Sequence, residues 1–155
     1  MRKLTPKLTV GLVALTIAAS AAAIEPGNWE ATTRATDIQL SSEIPPQVAD
    51  MMRDAMGNRT FSNTSCVTRE DIDGAPERMF EESGGDCRYT EFDMSGGTMH
   101  GVAQCDTDQG TMTMTMDGTY TDTSYDMTMT MNGDVGMGPM SMTYEVTGRR
   151  LGACS

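Results

Sequence analysis

The sequence predicts a mainly β protein, an antiparallel meander of about seven strands that forms a curled sheet or a partly closed barrel, with one or two short helices after the first strand. The first observation is strict alternation of apolar and small polar residues in residues 111–116, 127–131 and 140–144. Because neighbouring side chains of a strand point to opposite faces, each segment places its Met residues on one face and Thr or Ser on the other. This pattern is typical of an antiparallel sheet with one face packed inward and the other in solvent.

The first 23 residues predict a secretory signal peptide, which leaves residues 24–155 as a single domain. Arg2, Lys3 and Lys7 form a basic start, an apolar run follows over residues 8–19, and small residues at 21–23 offer a cleavage site. The run is shorter than the roughly 20 residues that cross a bilayer, so an uncleaved anchor is the weaker alternative. We expect a periplasmic or secreted protein without an integral membrane span of its own.

The charge of the domain excludes some classes of partner. Residues 24–155 contain eight Arg, no Lys and 22 acidic residues, a net charge of −14. Such a surface repels nucleic acid and anionic lipid. Since the acidic residues are scattered rather than clustered, they favour solubility over a dedicated cationic partner, and the identity of any partner stays unknown.

Four cysteines in an exported chain predict two disulfides. Cys87 and Cys105 are equidistant from Gly96, and a three-residue turn at residues 95–97 would bring them directly opposite each other in a hairpin. Cys66 then pairs with Cys154. A metal site is the weaker alternative, because no CxxC pair is present.

The first half of the domain predicts two strands and two short helical segments. Residues 28–40 form a strand that begins near the only Trp, and residues 59–67 form a second one. Between them, apolar residues at three- and four-residue spacing predict a helix over residues 47–56. Thr68 with Asp71 resembles a helix cap, Pro76 can open a helical turn through residue 81, and residues 83–85 predict a loop.

The second half predicts the rest of the meander. One long strand covers residues 111–121, with Asp117-Gly118 as a bulge rather than a turn, and the chain reverses at residues 122–123. Residues 125–131 supply the facing Met row. A Gly-rich loop over residues 132–139 precedes the last strand, whose inward positions are Met140, Met142, Tyr144 and Val146.

Several short motifs resemble the bacterial exported proteins grouped as domain of unknown function 3617. They are residues 26–30 (Pro-Gly-Asn-Trp-Glu), 66–71 (Cys-Val-Thr-Arg-Glu-Asp), Asp86-Cys87, Cys105, the Thr-Met strands and residues 148–154 (Gly-Arg-Arg-Leu-Gly-Ala-Cys). The resemblance covers essentially all of the mature chain through the order and spacing of these motifs. It implies a small exported Gram-negative protein with four cysteines and Met-rich strands. It adds no catalytic residue, because the family carries no assigned activity.

The Met rows allow two interpretations. Residues 24–155 hold fifteen Met but only eleven Ile, Leu and Val, so the sheet has little else to bury, and we interpret the Met residues as core. The alternative is Cu(I) or Ag(I) binding, since thioethers suit soft metals. Its candidate ligands are Met112, Met114, Met116, Met127, Met129 and Met131, with His100 as a further donor. A sacrificial oxidant sink through Met sulfoxide is a third possibility.

Other candidate sites are weaker. Residues 106–110 resemble the start of a calcium loop but lack its closing Glu. Arg149-Arg150 offers an anion site, although such pairs more often meet nearby carboxylates. With one His, no nucleophile motif and oxidised cysteines, an enzyme is not expected, and no cofactor is indicated. We therefore expect a non-enzymatic binding or structural module. A Met-lined interior suits an apolar small ligand.

Overall fold

Seven antiparallel strands form one sheet in the computed structural model of the protein, in the order β2-β1-β7-β6-β5-β4-β3. The structure describes residues 23–57, 59–74, 86–108, 110–134, 136 and 138–154. The elements in chain order are β1 (Gly27–Leu40), α1 (Pro46–Met56), β2 (Thr60–Val67), α2 (Arg69–Gly74), β3 (Asp86–Ser95), β4 (Thr98–Thr107), β5 (Gly110–Tyr120), β6 (Ser124–Asp134) and β7 (Pro139–Gly152). The prediction of a mainly β meander with one or two short helices is confirmed, with two helices among the described residues.

The sheet is open. Strands β3 to β7 follow each other as a meander, and β1 pairs with β7 from Asn28↔Gly152 to Leu40↔Met140. The first strand is therefore held between the last strand and β2. Within the described residues, β2 and β3 each have only one neighbouring strand, so they are the two edges and the sheet does not close into a barrel.

The β3–β4 hairpin reaches the predicted cysteine register by a different route. Its turn has two residues, Gly96 and Gly97, both with positive φ (59° and 81°), and Ser95 pairs with Thr98. That turn alone would place Cys87 opposite Asp106. A bulge between Tyr89 and Glu91 inserts one extra residue and brings Cys87 opposite Cys105. The three-residue turn predicted at residues 95–97 is therefore wrong.

The β5–β6 hairpin turns at residues 122–123, as predicted, and the N–H of Thr121 donates to the carbonyl of Ser124 (2.8 Å). The predicted bulge at Asp117-Gly118 is wrong, because the register is unbroken from Thr113↔Asn132 to Tyr120↔Tyr125. Gly118 has another role. A Cβ at this position would collide with the backbone of β6, so glycine permits close approach of the two strands.

Both helices lie near their predicted positions. Helix α1 begins one residue earlier than predicted, with Pro46 in its first turn, and buries Ala49. The predicted cap of α2 is present, since Thr68 Oγ1 accepts from the N–H of Asp71 (3.2 Å) and the Asp71 carboxylate accepts from the N–H of Thr68 (2.8 Å). The helical turn predicted at residues 76–81 and the loop at 83–85 lie outside the described residues.

Two disulfides fasten the two edge strands. Cys66–Cys154 links β2 to the segment after β7, across β1, with a Cα–Cα distance of 5.5 Å. Cys87–Cys105 links β3 to β4 directly, with a Cα–Cα distance of 3.9 Å. These are the two pairs expected from the spacing. Cys66–Cys154 therefore ties edge strand β2 to the end of the chain that follows β7, and Cys87–Cys105 ties edge strand β3 to its neighbour β4.

Candidate functional site

One face of the sheet carries nearly all of the methionines of the strands, and we call it the methionine face. Its cross-strand rows are Met114–Met131–Met142, Met116–Met129–Tyr144 and Gly118–Met127–Val146, running across β5, β6 and β7. Met112 lies on the same face, opposite Cys105. The register thus brings together all six candidate Met ligands on two neighbouring strands, because directly opposed residues share a face.

The methionine face is only partly buried. Met116 and Met142 are buried, with 6% and 9% of their surface exposed. Five further methionines of this face are intermediate although their strands lie inside the sheet: Met112, Met114, Met127, Met129 and Met131. The described residues therefore cover the middle of the face incompletely, and thioether and methylene surface remains in contact with solvent.

An aromatic pair covers one side of this face. The rings of Trp29 and Tyr125 stack with centroids 5.8 Å apart and an interplanar angle of 22°. Gly148 lies opposite Tyr125, and a Cβ there would collide with the tyrosine ring. Burial raises the pKa of the Tyr125 hydroxyl above its ordinary value of 10.0.

A second aromatic pair covers the other side. The rings of Tyr89 and Phe92 meet edge to face with centroids 5.1 Å apart. Beneath them lies Gly101, where a Cβ would stand only 3.2 Å from Tyr89 Cε1 and 3.0 Å from Met116 Cε. Neither aromatic pair was predicted from the sequence. Their signal is a glycine inside a strand, which often marks close approach of other atoms.

Two further elements bound the methionine face. Ile38 lies on this face, since it pairs with Met142. The end of α1 lies beside it, because a Cβ built on Gly57 would be 3.9 Å from Ile38 Cδ1. An open cleft of about 510 Å³ lies where β1 and β6 end and β7 begins. Its lining is mixed, with apolar and polar members: Gln39, Leu40, Ser41, Asn132, Gly133, Pro139, Met140 and Ser141.

The opposite face is polar and carries the only histidine. His100 Nδ1 lies 2.7 Å from Asp117 Oδ1, and Nε2 lies 3.7 Å from Glu91 Oε2. The hydrogen bond to Asp117 raises the pKa of His100, and the negative charges of Asp117 and Glu91 act in the same direction. His100 therefore faces away from the Met rows, which excludes it as a ligand to a metal bound there. Within the described residues, no group of His, Cys, Asp or Glu is arranged to hold a metal ion.

The predicted calcium loop and anion site have other partners. Asp106 accepts from Thr111 (2.9 Å) and pairs with Arg88 (3.1 Å), and these contacts lower its pKa. Arg149 pairs with Glu30 (2.8 Å) on the polar face. Arg150 donates to the carbonyl of Pro26 (2.9 Å) and lies 3.6 Å from Glu25. The arginine pair therefore ties the start of the domain to its end.

These features define a small, single-sheet antiparallel β protein with two disulfides and a methionine-rich face. Among the described residues, no helix has the length and apolar character to cross a membrane. The chain belongs to the family described as protein of unknown function (DUF3617), whose model matches residues 24–154. No curated protein and no solved structure matches the chain significantly.

Proposed function

We propose that the protein is an exported, non-enzymatic binding module whose methionine face holds an apolar, chain-like ligand. The observation that carries the proposal is the partial exposure of Met112, Met114, Met127, Met129 and Met131 on interior strands of the sheet. Exposing apolar surface is unfavourable by about 25 cal/mol per Å², so a ligand that covers these side chains gains their burial.

Methionine suits such a surface. Its unbranched thioether side chain has three rotatable bonds and adapts to irregular apolar partners. The Met rows carry no charged residue, whereas the acidic residues of the other face are kept in water. The aromatic pairs at both sides restrict the open area to the central rows. Together these features favour an extended uncharged chain, such as an alkyl or acyl chain, over a polar metabolite.

Export is supported by the basic and apolar start of the sequence and by the two disulfides, which persist in oxidising compartments. A non-enzymatic role is supported by the oxidation of all four cysteines and by the partners of the single histidine, which are the carboxylates of Asp117 and Glu91 and not a hydroxyl or thiol that it could activate. Neither arrangement provides an activated nucleophile.

Ligand binding is tested by native mass spectrometry of the protein purified from its own periplasm, followed by calorimetric titration with a saturated fatty acid. We expect an added lipid-like mass and a binding heat that Met129→Gln weakens at least about tenfold, since a buried amide lacks hydrogen-bond partners there. The matched control is Thr128→Gln, one residue away on the polar face. A bare mass without a binding heat would exclude the proposal.

A second candidate function is Cu(I) or Ag(I) binding, favoured by the row Met114–Met131–Met142. Three thioether side chains start from directly opposed positions on adjacent strands, roughly 5 Å apart at Cβ. The Tyr144 hydroxyl already donates to the Met142 sulfur (3.4 Å). Anaerobic Ag(I) titration of the parent protein and of Met131→Leu tests this function. The substitution keeps the side-chain volume but removes the central sulfur, so it should abolish Ag(I) binding. Met51→Leu, on the exposed side of α1, is the control.

A further inference from the structure

The two edges of the sheet differ in how they are protected against pairing with another strand. An edge strand presents unpaired N–H and C=O groups, and proteins usually block it with charges, proline or a bulge. Edge strand β3 follows this rule: it carries Arg88, Glu91 and Asp93, and a bulge interrupts it at Thr90. Its outer edge is therefore a poor template for a further strand.

Edge strand β2 has none of these protections. Its sequence, Thr-Phe-Ser-Asn-Thr-Ser-Cys-Val over residues 60–67, contains no charged residue and no proline, and it pairs with β1 without a bulge. Every residue from Thr60 to Cys66 is exposed. The edge is therefore regular and uncharged, and the bond Cys66–Cys154 additionally fixes the strand to the sheet.

We propose that β2 is a strand-pairing surface and that its partner is the β2 strand of a second copy of this chain. The pairing is antiparallel about a two-fold axis at Thr64, and it joins the two sheets into one. The inference stands apart from ligand binding on the methionine face, because it uses only the edge of the sheet.

The position of the axis follows from the side chains. Phe61 and Val67 are the two large apolar residues of β2, and the register with β1 places both on the methionine-face side. A two-fold axis at Thr64 puts Phe61 of each copy opposite Val67 of the other. Phe61 is 60% exposed in the single chain, and this pairing gives the dimer two Phe61–Val67 contacts. An axis at Asn63 or Ser65 would not place Phe61 opposite Val67.

Charge opposes self-association over most of the surface, and least at this edge. Two chains that each carry a net charge of −14 over residues 24–155 repel each other over most of their surface. An uncharged strand is a place where they can approach closely. Because one eight-residue edge forms a small interface, we expect a weak dimer with a dissociation constant of about 10–500 µM.

Sedimentation equilibrium of the purified protein tests the association. We expect a monomer–dimer equilibrium that Thr64→Glu weakens at least about tenfold, since it places two carboxylates opposite each other on the axis. Thr90→Glu makes the same change on the other edge strand and should leave the equilibrium unchanged. Phe61→Thr should weaken it without adding charge, and thermal melts verify that each variant folds.

Cysteine cross-linking tests the register. Thr64→Cys places two thiols within the Cα–Cα range of a disulfide, about 4.4–6.8 Å, so mild oxidation should yield a covalent dimer. Thr60→Cys is an equally exposed control on the same strand, but its two copies would lie roughly 26 Å apart along the pair. A chain that stays monomeric to about 500 µM overturns the proposal and assigns the edge to another extended partner. Equal cross-linking of the two variants, or an equal effect of Thr90→Glu, overturns it as well.

Discussion

The ring of Tyr125 lies over Gly148 of the neighbouring strand and stacks on Trp29, one strand further on. This contact spans β6, β7 and β1, so it links the meander to the first strand. The indole N–H of Trp29 donates to the carbonyl of Glu25 (3.0 Å), and the N–H of Glu25 donates to the carbonyl of Asp122 in the β5–β6 turn (2.9 Å). Glycine at position 148 therefore leaves room for one of the contacts that join the two ends of the domain.

Replacing this glycine should destabilise the protein. In Gly148→Ala the new methyl group occupies the space of the Tyr125 ring, so the ring must move away and lose its contact with Trp29. We expect a loss of about 1–3 kcal/mol in the free energy of unfolding, measured by urea denaturation. Thr147→Ala, on the exposed face next to it, should change stability by less than about 0.5 kcal/mol.

The double variant Tyr125→Ala/Gly148→Ala shows whether the loss of stability comes from the Tyr125 ring. In a Tyr125→Ala background the ring is absent, so Gly148→Ala should cost much less than it does in the parent protein. An unchanged cost in that background would show that the glycine matters for its backbone and not for the ring.

The buried methionines should contribute more stability than their partly exposed neighbours. Met116→Ala removes a side chain that contacts the Gly101 site and is 6% exposed, so we expect a loss of about 2–4 kcal/mol. Met129→Ala, opposite Met116 but partly exposed, should cost less because it leaves a smaller cavity. Thermal and urea unfolding of both variants measure the difference, with Thr115→Ala as the control. A larger cost for Met129→Ala would mean that this residue is the better-covered one in solution.

Much of the fold follows from local patterns in the sequence. Alternation with a period of two sets the inward side of Met114, Met129 and Met142, since side-chain direction in a strand is a local property. The turn at residues 122–123 and the cap at Thr68 are equally local. The pairing of Cys87 with Cys105 was predicted correctly, but the register that produces it combines a two-residue turn with a bulge and not the three-residue turn expected from the spacing.

Features that depend on distant parts of the chain were not predictable in this way. The bulge at Thr90 compensates for a shorter turn, and no residue in the segment announces it. The insertion of β1 between β2 and β7 determines which strands are edges, and it depends on contacts across the whole domain. The aromatic pairs over Gly101 and Gly148 join residues on different strands, so each glycine shows its role only when the sheet is assembled.

The two disulfides should differ in their contribution to stability. On the chain-entropy model, the bond Cys66–Cys154, with a separation of 88 residues, contributes about 4.6 kcal/mol, and Cys87–Cys105, with a separation of 18, about 3.2 kcal/mol. Urea unfolding of the paired variants Cys66→Ser/Cys154→Ser and Cys87→Ser/Cys105→Ser tests the order. Loss of the first pair should also raise hydrogen exchange in β2, because it frees an edge strand. A larger loss for the shorter loop would show that native-state geometry outweighs chain entropy.

Stability should fall slightly as the pH rises through the neutral range, because of His100. Its hydrogen bond to Asp117 raises the folded-state pKa above the ordinary value of 6.5, and Asp93 lies directly opposite it on β3. A raised folded-state pKa means that the charged form stabilises the fold. The contribution is therefore fully present below the unfolded-state pKa and is lost as the pH rises through the folded-state pKa.

NMR titration of the imidazole should give a pKa above that of a model peptide, and His100→Gln should flatten the pH dependence of the melting temperature in this window. Because the side chain is exposed, the effect should shrink further in high salt. A normal imidazole pKa would show that the Asp117 contact does not persist in solution.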